Sequence, residues 1–125
     1  MTDKPVKLAF YIYLAVIFTL AVYPLKHPIV SDNDKVNHVL AFAVFMALGT
    51  AAHIRLGQLL LSLSGLGYGM LIEGAQHFLP YRSCSLGDLL ADAVGMVIGS
   101  ALVCLAVAAG RRHFPDGRFT EIKLF

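Results

Sequence analysis

The sequence predicts an all-α polytopic membrane protein, a bundle of four transmembrane helices, and three observations predict it. Hydrophobic residues fill 58% of the 125 positions and the mean hydropathy is +0.71, far above what a soluble domain carries. Four long apolar runs, each approaching the length needed for a bilayer of about 30 Å, alternate with short polar breaks. The charged residues, 14% of the chain, gather in those breaks and in the C-terminal tail. A single domain over 1–125 accounts for all of it. Net charge +2 and pI near 8.6 are too mild to argue for nucleic acid, so none is expected as a partner.

The first helix is expected over residues 7–23, ending near Pro24 because the residue before a proline disfavours helical backbone. Lys4 and Lys7 before an apolar stretch resemble the start of a secretory signal. No small-x-small cleavage pattern follows Ala21, however, so a retained span is expected. A polar connection over 25–34, containing Pro28, leads through Ser31, Asp32, Asn33 and Asp34 to a second helix over 35–52, with Asp34 expected as its cap. His53, Arg55 and Gly57 mark a tight break.

The third helix, 58–79, carries Gly65, Gly67, Gly69 and Gly74, which permit close helix approach in lipid, and Pro80 ends it. The fourth, 86–109, contains the GxxxG pair Gly95 and Gly99, a face for tight packing. A basic tail over 110–125 includes the turn Pro115, Asp116, Gly117. Cys84 and Cys104 lie too far apart to bridge and in no metal-binding spacing. Lys and Arg give the orientation: seven fall on the side of the termini and the second break, against Lys26, Lys35 and Arg82 on the other. That asymmetry predicts cytoplasmic termini.

The polar residues that intrude on the apolar runs gather at the end opposite the termini. Lys35 and His38 are three apart, Glu73 and Gln76 are three apart, and Asp88 and Asp92 are four apart, so each pair shares one helical face. A charge inside hydrocarbon costs roughly 2.5 to 3.5 kcal/mol on insertion scales, so such residues usually face a bundle interior or a wet cavity. Each also has a structural role open to it. Ser85 and Asp88 fit a capping box, with the Asp88 carboxylate reaching back to the Ser85 backbone. Lys35 can snorkel, Arg82 can bind surface phosphate, and His38 and Gln76 can hydrogen-bond between helices. Glu73 and Asp92 resist such roles best, because acids that deep must be paired or neutralised, with Lys35, Arg82 and His38 as the simplest partners. His53 and His77 are assigned no site role.

Residues 34–42 (Asp34-Lys35-Val36-Asn37-His38-Val39-Leu40-Ala41-Phe42), then Ile72-Glu73-Gly74-Ala75-Gln76, Pro80-Tyr81-Arg82, and Asp88-Leu89-Leu90-Ala91-Asp92-Ala93-Val94-Gly95 resemble the VanZ-like family of small bacterial membrane proteins. The similarity spans about residues 34 to 99 and includes the spacing between motifs. It implies a multi-pass protein of the bacterial cytoplasmic membrane, and the family's name-giving member is associated with low-level resistance to the lipoglycopeptide teicoplanin. The position of Asp92 is more often Asn in that family, which fits a hydrogen-bonding role better than a fixed charge. What carries over is the polar set Lys35, His38, Glu73, Gln76, Arg82, Asp88 and Asp92.

Three functions compete. In the first, Lys35, Gln76, Arg82 and Asp88 bind, and the site binds or modifies lipid-linked envelope components at the outer leaflet, with membrane lipids, an envelope precursor or a lipoglycopeptide as partners. In the second, His38, Glu73 and Asp92 are catalytic, with His38 as base or nucleophile for transfer or hydrolysis at a lipid phosphate. A metal version would draw on His38, Glu73, Asp88 and Asp92, but no compact ligand motif supports it, so no metal and no cofactor is expected. In the third, the chain is an accessory or structural subunit and the network only holds the bundle together.

Overall fold

The computed structural model describes residues 3–24 and 33–125 and is all-helical. Helix α1 runs Lys4–Val22, α2 Asp34–Ala52, α3 Gln58–His77 and α4 Leu86–His113, followed by one 3-10 turn at Arg118–Thr120. Most of the connection expected over 25–34, with Lys26, Pro28, Ser31 and Asp32, lies outside the described residues. Three helices, α1, α2 and α4, are long and apolar enough to cross a membrane. The third, α3, is 20 residues long but carries four glycines, two serines, Glu73 and Gln76, and is less apolar than that.

The boundaries differ from the sequence expectation for local reasons. Proline in the first turn lets α1 begin at Lys4, since that N–H would have no helical partner anyway. Asn33, not Asp34, caps α2: its side chain accepts the Lys35 amide at 3.1 Å, and Asp34 becomes the first helical residue, where the helix dipole favours an acid. The α3 helix stops two residues early because Phe78 and Leu79 turn back onto the Ala75 and Gln76 carbonyls in a tighter spiral before Pro80. Gly110 does not end α4. The Phe119 ring packs directly over it, and the Arg111 guanidinium donates to the Phe119 and Ile122 carbonyls at 2.9 and 2.6 Å, so the tail folds back and the helix continues to His113.

The four helices run up and down, so that one end of the bundle gathers the C-termini of α1 and α3 with the N-termini of α2 and α4. At the other end the Asp3 carboxylate pairs with Arg118, which puts the two chain termini together. The tail also closes the α2–α3 break, with the Lys123 amide on the Ile54 carbonyl at 2.6 Å and the Gln58 amide on the Leu124 carbonyl at 3.0 Å. Gly57 there has φ +78°, a left-handed conformation that glycine adopts at no cost.

The most extensive contact is between α2 and α4, and the GxxxG pair makes it. A Cβ on Gly95 would collide with the Val39 carbonyl, and one on Gly99 would stand 2.7 Å from the Ala43 carbonyl oxygen. Backbone therefore lies directly on backbone, which is how helices associate where hydrocarbon surrounds them and apolar burial gives no drive. Phe10, Phe42, Phe45, Met46, Leu61, Ile72 and Met96 fill the centre. Large apolar side chains such as Leu59, Leu102 and Leu105 point outward, as on a surface whose solvent is lipid.

Candidate functional site

A helix leaves its last four carbonyls without helical donors, and in an apolar setting each must find one. At the end of α1 all four do. The last helical bond runs from the Tyr23 amide to the Thr19 carbonyl; beyond it Arg82 donates to the Leu20 carbonyl at 2.9 Å, Gln76 to Ala21 at 2.9 Å and the Tyr81 hydroxyl to Val22 at 2.8 Å. The same Arg82 nitrogen also reaches the Tyr23 carbonyl at 3.1 Å. Gln76 and Arg82 thus tie the α3–α4 turn to the end of α1, and Arg82 is not the partner of Glu73 that the sequence suggested.

Beside this clamp lies a cluster built on α2 and α4. Asp92, with no solvent exposure, meets the His38 Nδ1 at 2.7 Å. A carboxylate accepts, so Nδ1 donates and Nε2 is left free. Nε2 points toward Asp34, one turn earlier on α2, whose Oδ2 is 3.9 Å away, beyond a hydrogen bond. The second Asp92 oxygen has no hydrogen-bond partner among the described residues and sits against Gly69, where a Cβ would stand only 2.5 Å from it. Glycine on α3 is what makes room for a carboxylate there.

Asp88, 3% exposed, sits one turn above Asp92. Its amide donates to the Ser85 hydroxyl at 3.2 Å, and that hydroxyl donates back to Asp88 Oδ2 at 2.8 Å, leaving Oδ1 to the Lys35 ammonium at 3.4 Å. Half of the expected capping box is present. Its other arm is replaced, because the Ser85 backbone amide donates to Glu73 Oε2 at 3.2 Å. Glu73 is itself 6% exposed, and its Oε1 has no hydrogen-bond partner among the described residues. The nearby Glu73 carboxylate pushes the exposed Cys84 thiol above its ordinary pKa. Gly87 leaves space for the Lys35 chain, whose Cε would lie 2.9 Å from a Cβ there.

Lys35, His38, Asp88 and Asp92 are therefore brought together, Glu73 adjoins them through Ser85, and Gln76 and Arg82 are turned to α1. Asp34, Ser85, Gly69 and Gly87 were missing from the sequence-based set. Asp34 was legible in principle, since it stands four residues before His38 and shares its face.

A family model described as VanZ/LLP1 matches residues 10–107, which take in every residue of this cluster. The chain belongs to the VanZ/LLP1 family. No curated protein and no solved structure matches it. As a VanZ/LLP1 protein with three helices apolar enough to cross a bilayer, it is a membrane protein. Chemically the VanZ/LLP1 cluster offers an oriented imidazole with one free nitrogen, an ammonium on a flexible stem and a surplus of carboxylate oxygens.

Proposed function

We propose that the chain is a bacterial cell-envelope protein crossing the cytoplasmic membrane four times with both termini inside, and that its polar end, facing outward, binds the headgroup of a lipid-linked envelope component. The observation that carries this reading is the buried His38–Asp92 pair opening through Nε2 onto Asp34, Lys35 and Asp88. A polar group at membrane depth is costly, and one that is paired on one side yet open on the other suits a ligand better than a brace. The excess of Lys and Arg at the end holding the termini supports the orientation. The packing of α3 between its neighbours supports a fourth span.

In this reading Lys35 supplies a point charge, the carboxylates accept from hydroxyl or amide groups, and Gln76 and Arg82 shape the wall by fixing α1. A change in how such lipids are held or presented would alter susceptibility to glycopeptide antibiotics. A second reading has one observation in its favour: Asp92 at Nδ1 orients His38 as a general base toward the mouth, so that transfer or hydrolysis at a lipid phosphate can begin there.

Topology is tested by reporter fusions after Phe125 and within residues 25–34, which are expected to report opposite compartments; the same compartment for both overturns the orientation. Binding is tested with the purified chain in nanodiscs carrying a polyprenyl phosphate. Saturable binding is expected that His38→Gln removes, and phosphate release from the same sample decides for the second reading. Binding that is equal in parent and variant defeats the assignment of the site.

A further inference from the structure

We propose that Asp34, His38 and Asp88 form a divalent-cation site, with Asp92 holding the histidine from behind, and that the bound ion supplies the positive charge a phosphate-bearing headgroup needs. The role for the headgroup rests on the reading above; the cation site stands on its own geometry. Ligand atoms of the three residues lie within 4.8 Å of one another. The cluster is not acidic alone, because the nine-tenths-buried His38 aims Nε2 into the gap with no hydrogen-bond partner among the described residues.

The surroundings of each ligand fit the assignment. Metal-binding histidines almost always give their other ring N–H to a carboxylate, which fixes the ring and raises its basicity; Asp92 does this at 2.7 Å. Ligating carboxylates are themselves held, and the Ser85 hydroxyl holds Asp88 Oδ2 while Oδ1 meets only the loosely held Lys35 ammonium among the described residues. Asp34 is exposed in the first turn of α2 and has the rotamer freedom to close the remaining distance. Two carboxylates with one imidazole suit Mn²⁺ or Zn²⁺.

Charge points the same way. Asp34, Asp88 and Asp92 crowd one spot, and among the described residues Lys35 is the only ammonium or guanidinium paired with any of them. Its side chain is 58% exposed and meets Asp88 at 3.4 Å, a loose contact that stands in for a cation. A phosphate brought to these carboxylates meets repulsion. A divalent ion on Asp88 Oδ1 reverses that and releases the Lys35 ammonium toward the same phosphate.

The test uses the full chain in detergent, titrated with MnCl₂ and followed by electron paramagnetic resonance and calorimetry. One saturable site is expected, with the nitrogen coupling of a single histidine, displaced by ZnCl₂. Asp34→Asn should weaken it about tenfold or more, and Lys35→Gln should tighten it by removing the competing ammonium. Asp34 is exposed, so its variant is expected to fold even where Asp88→Asn does not. Absence of saturable binding overturns the proposal, and so does binding that Asp34→Asn leaves unchanged, which would place the ion elsewhere, as at His77 or His113. The titration contains no polyprenyl phosphate. A chain that ignores Mn²⁺ yet binds the lipid defeats this proposal alone, whereas one that binds Mn²⁺ at this site and refuses the lipid keeps the cation site and loses the function proposed above.

Discussion

Asp92→Ala is expected to lower the melting temperature and silence the site together, while Asp92→Asn keeps the fold close to the parent. Alanine leaves the His38 Nδ1–H buried without an acceptor, which costs about 1 to 3 kcal/mol. Asparagine still presents an oxygen to Nδ1, and its amide enters the space beside Gly69 where the second carboxylate oxygen has no partner to lose. Had the pair relied on a full negative charge, asparagine would fare as badly as alanine, since breaking a buried ion pair costs more than losing a hydrogen bond. Melting in detergent for the three proteins separates the cases, and alanine melting with asparagine at the parent value would refute the role given to Asp92.

What could be read from the sequence, and what could not, divides along the range of the forces involved. The four helices follow from hydropathy and from prolines and glycines near their ends, which act over a few residues. Gly110 escaped that logic because Phe119, brought back by the tail and held there by Arg111 of α4, packs over what a local reading takes as a helix end. The shared faces of Lys35 with His38 and of Asp88 with Asp92 put each pair on one side of its helix, since helical spacing fixes direction. It could not say which polar group meets which. Arg82 looked like a partner for Glu73 by charge, yet the stronger demand was the row of open carbonyls at the end of α1, a demand that only tertiary packing creates. Asp34 was read as a cap because its neighbours are capping residues, and Asn33 took that role instead, leaving the Asp34 carboxylate to face His38.

Glu73→Gln and Arg82→Lys are expected to fail in opposite ways, and the contrast decides whether the polar end is a working site or only a clamp. Glutamine keeps an oxygen for the Ser85 amide, and the atom it changes is the one with no partner among the described residues, so the fold should lose no more than about 1 kcal/mol. If the negative charge serves a ligand, this variant folds but does not complement a deletion strain challenged with wall-directed antibiotics. Lysine at position 82 keeps the charge but gives up the planar guanidinium that donates to both the Leu20 and Tyr23 carbonyls. A hydrogen bond from a charged group contributes about 1.5 to 3 kcal/mol, less where water reaches it, so the melting temperature should fall clearly. Whatever fraction of Arg82→Lys remains folded should still complement, because the role given to Arg82 is to hold α1 through the Leu20 and Tyr23 carbonyls and not to bind the headgroup. Full complementation by Glu73→Gln would leave Glu73 as a brace for the Ser85 turn, and an unshifted melt for Arg82→Lys would remove the clamp at the end of α1 from what stabilises the bundle.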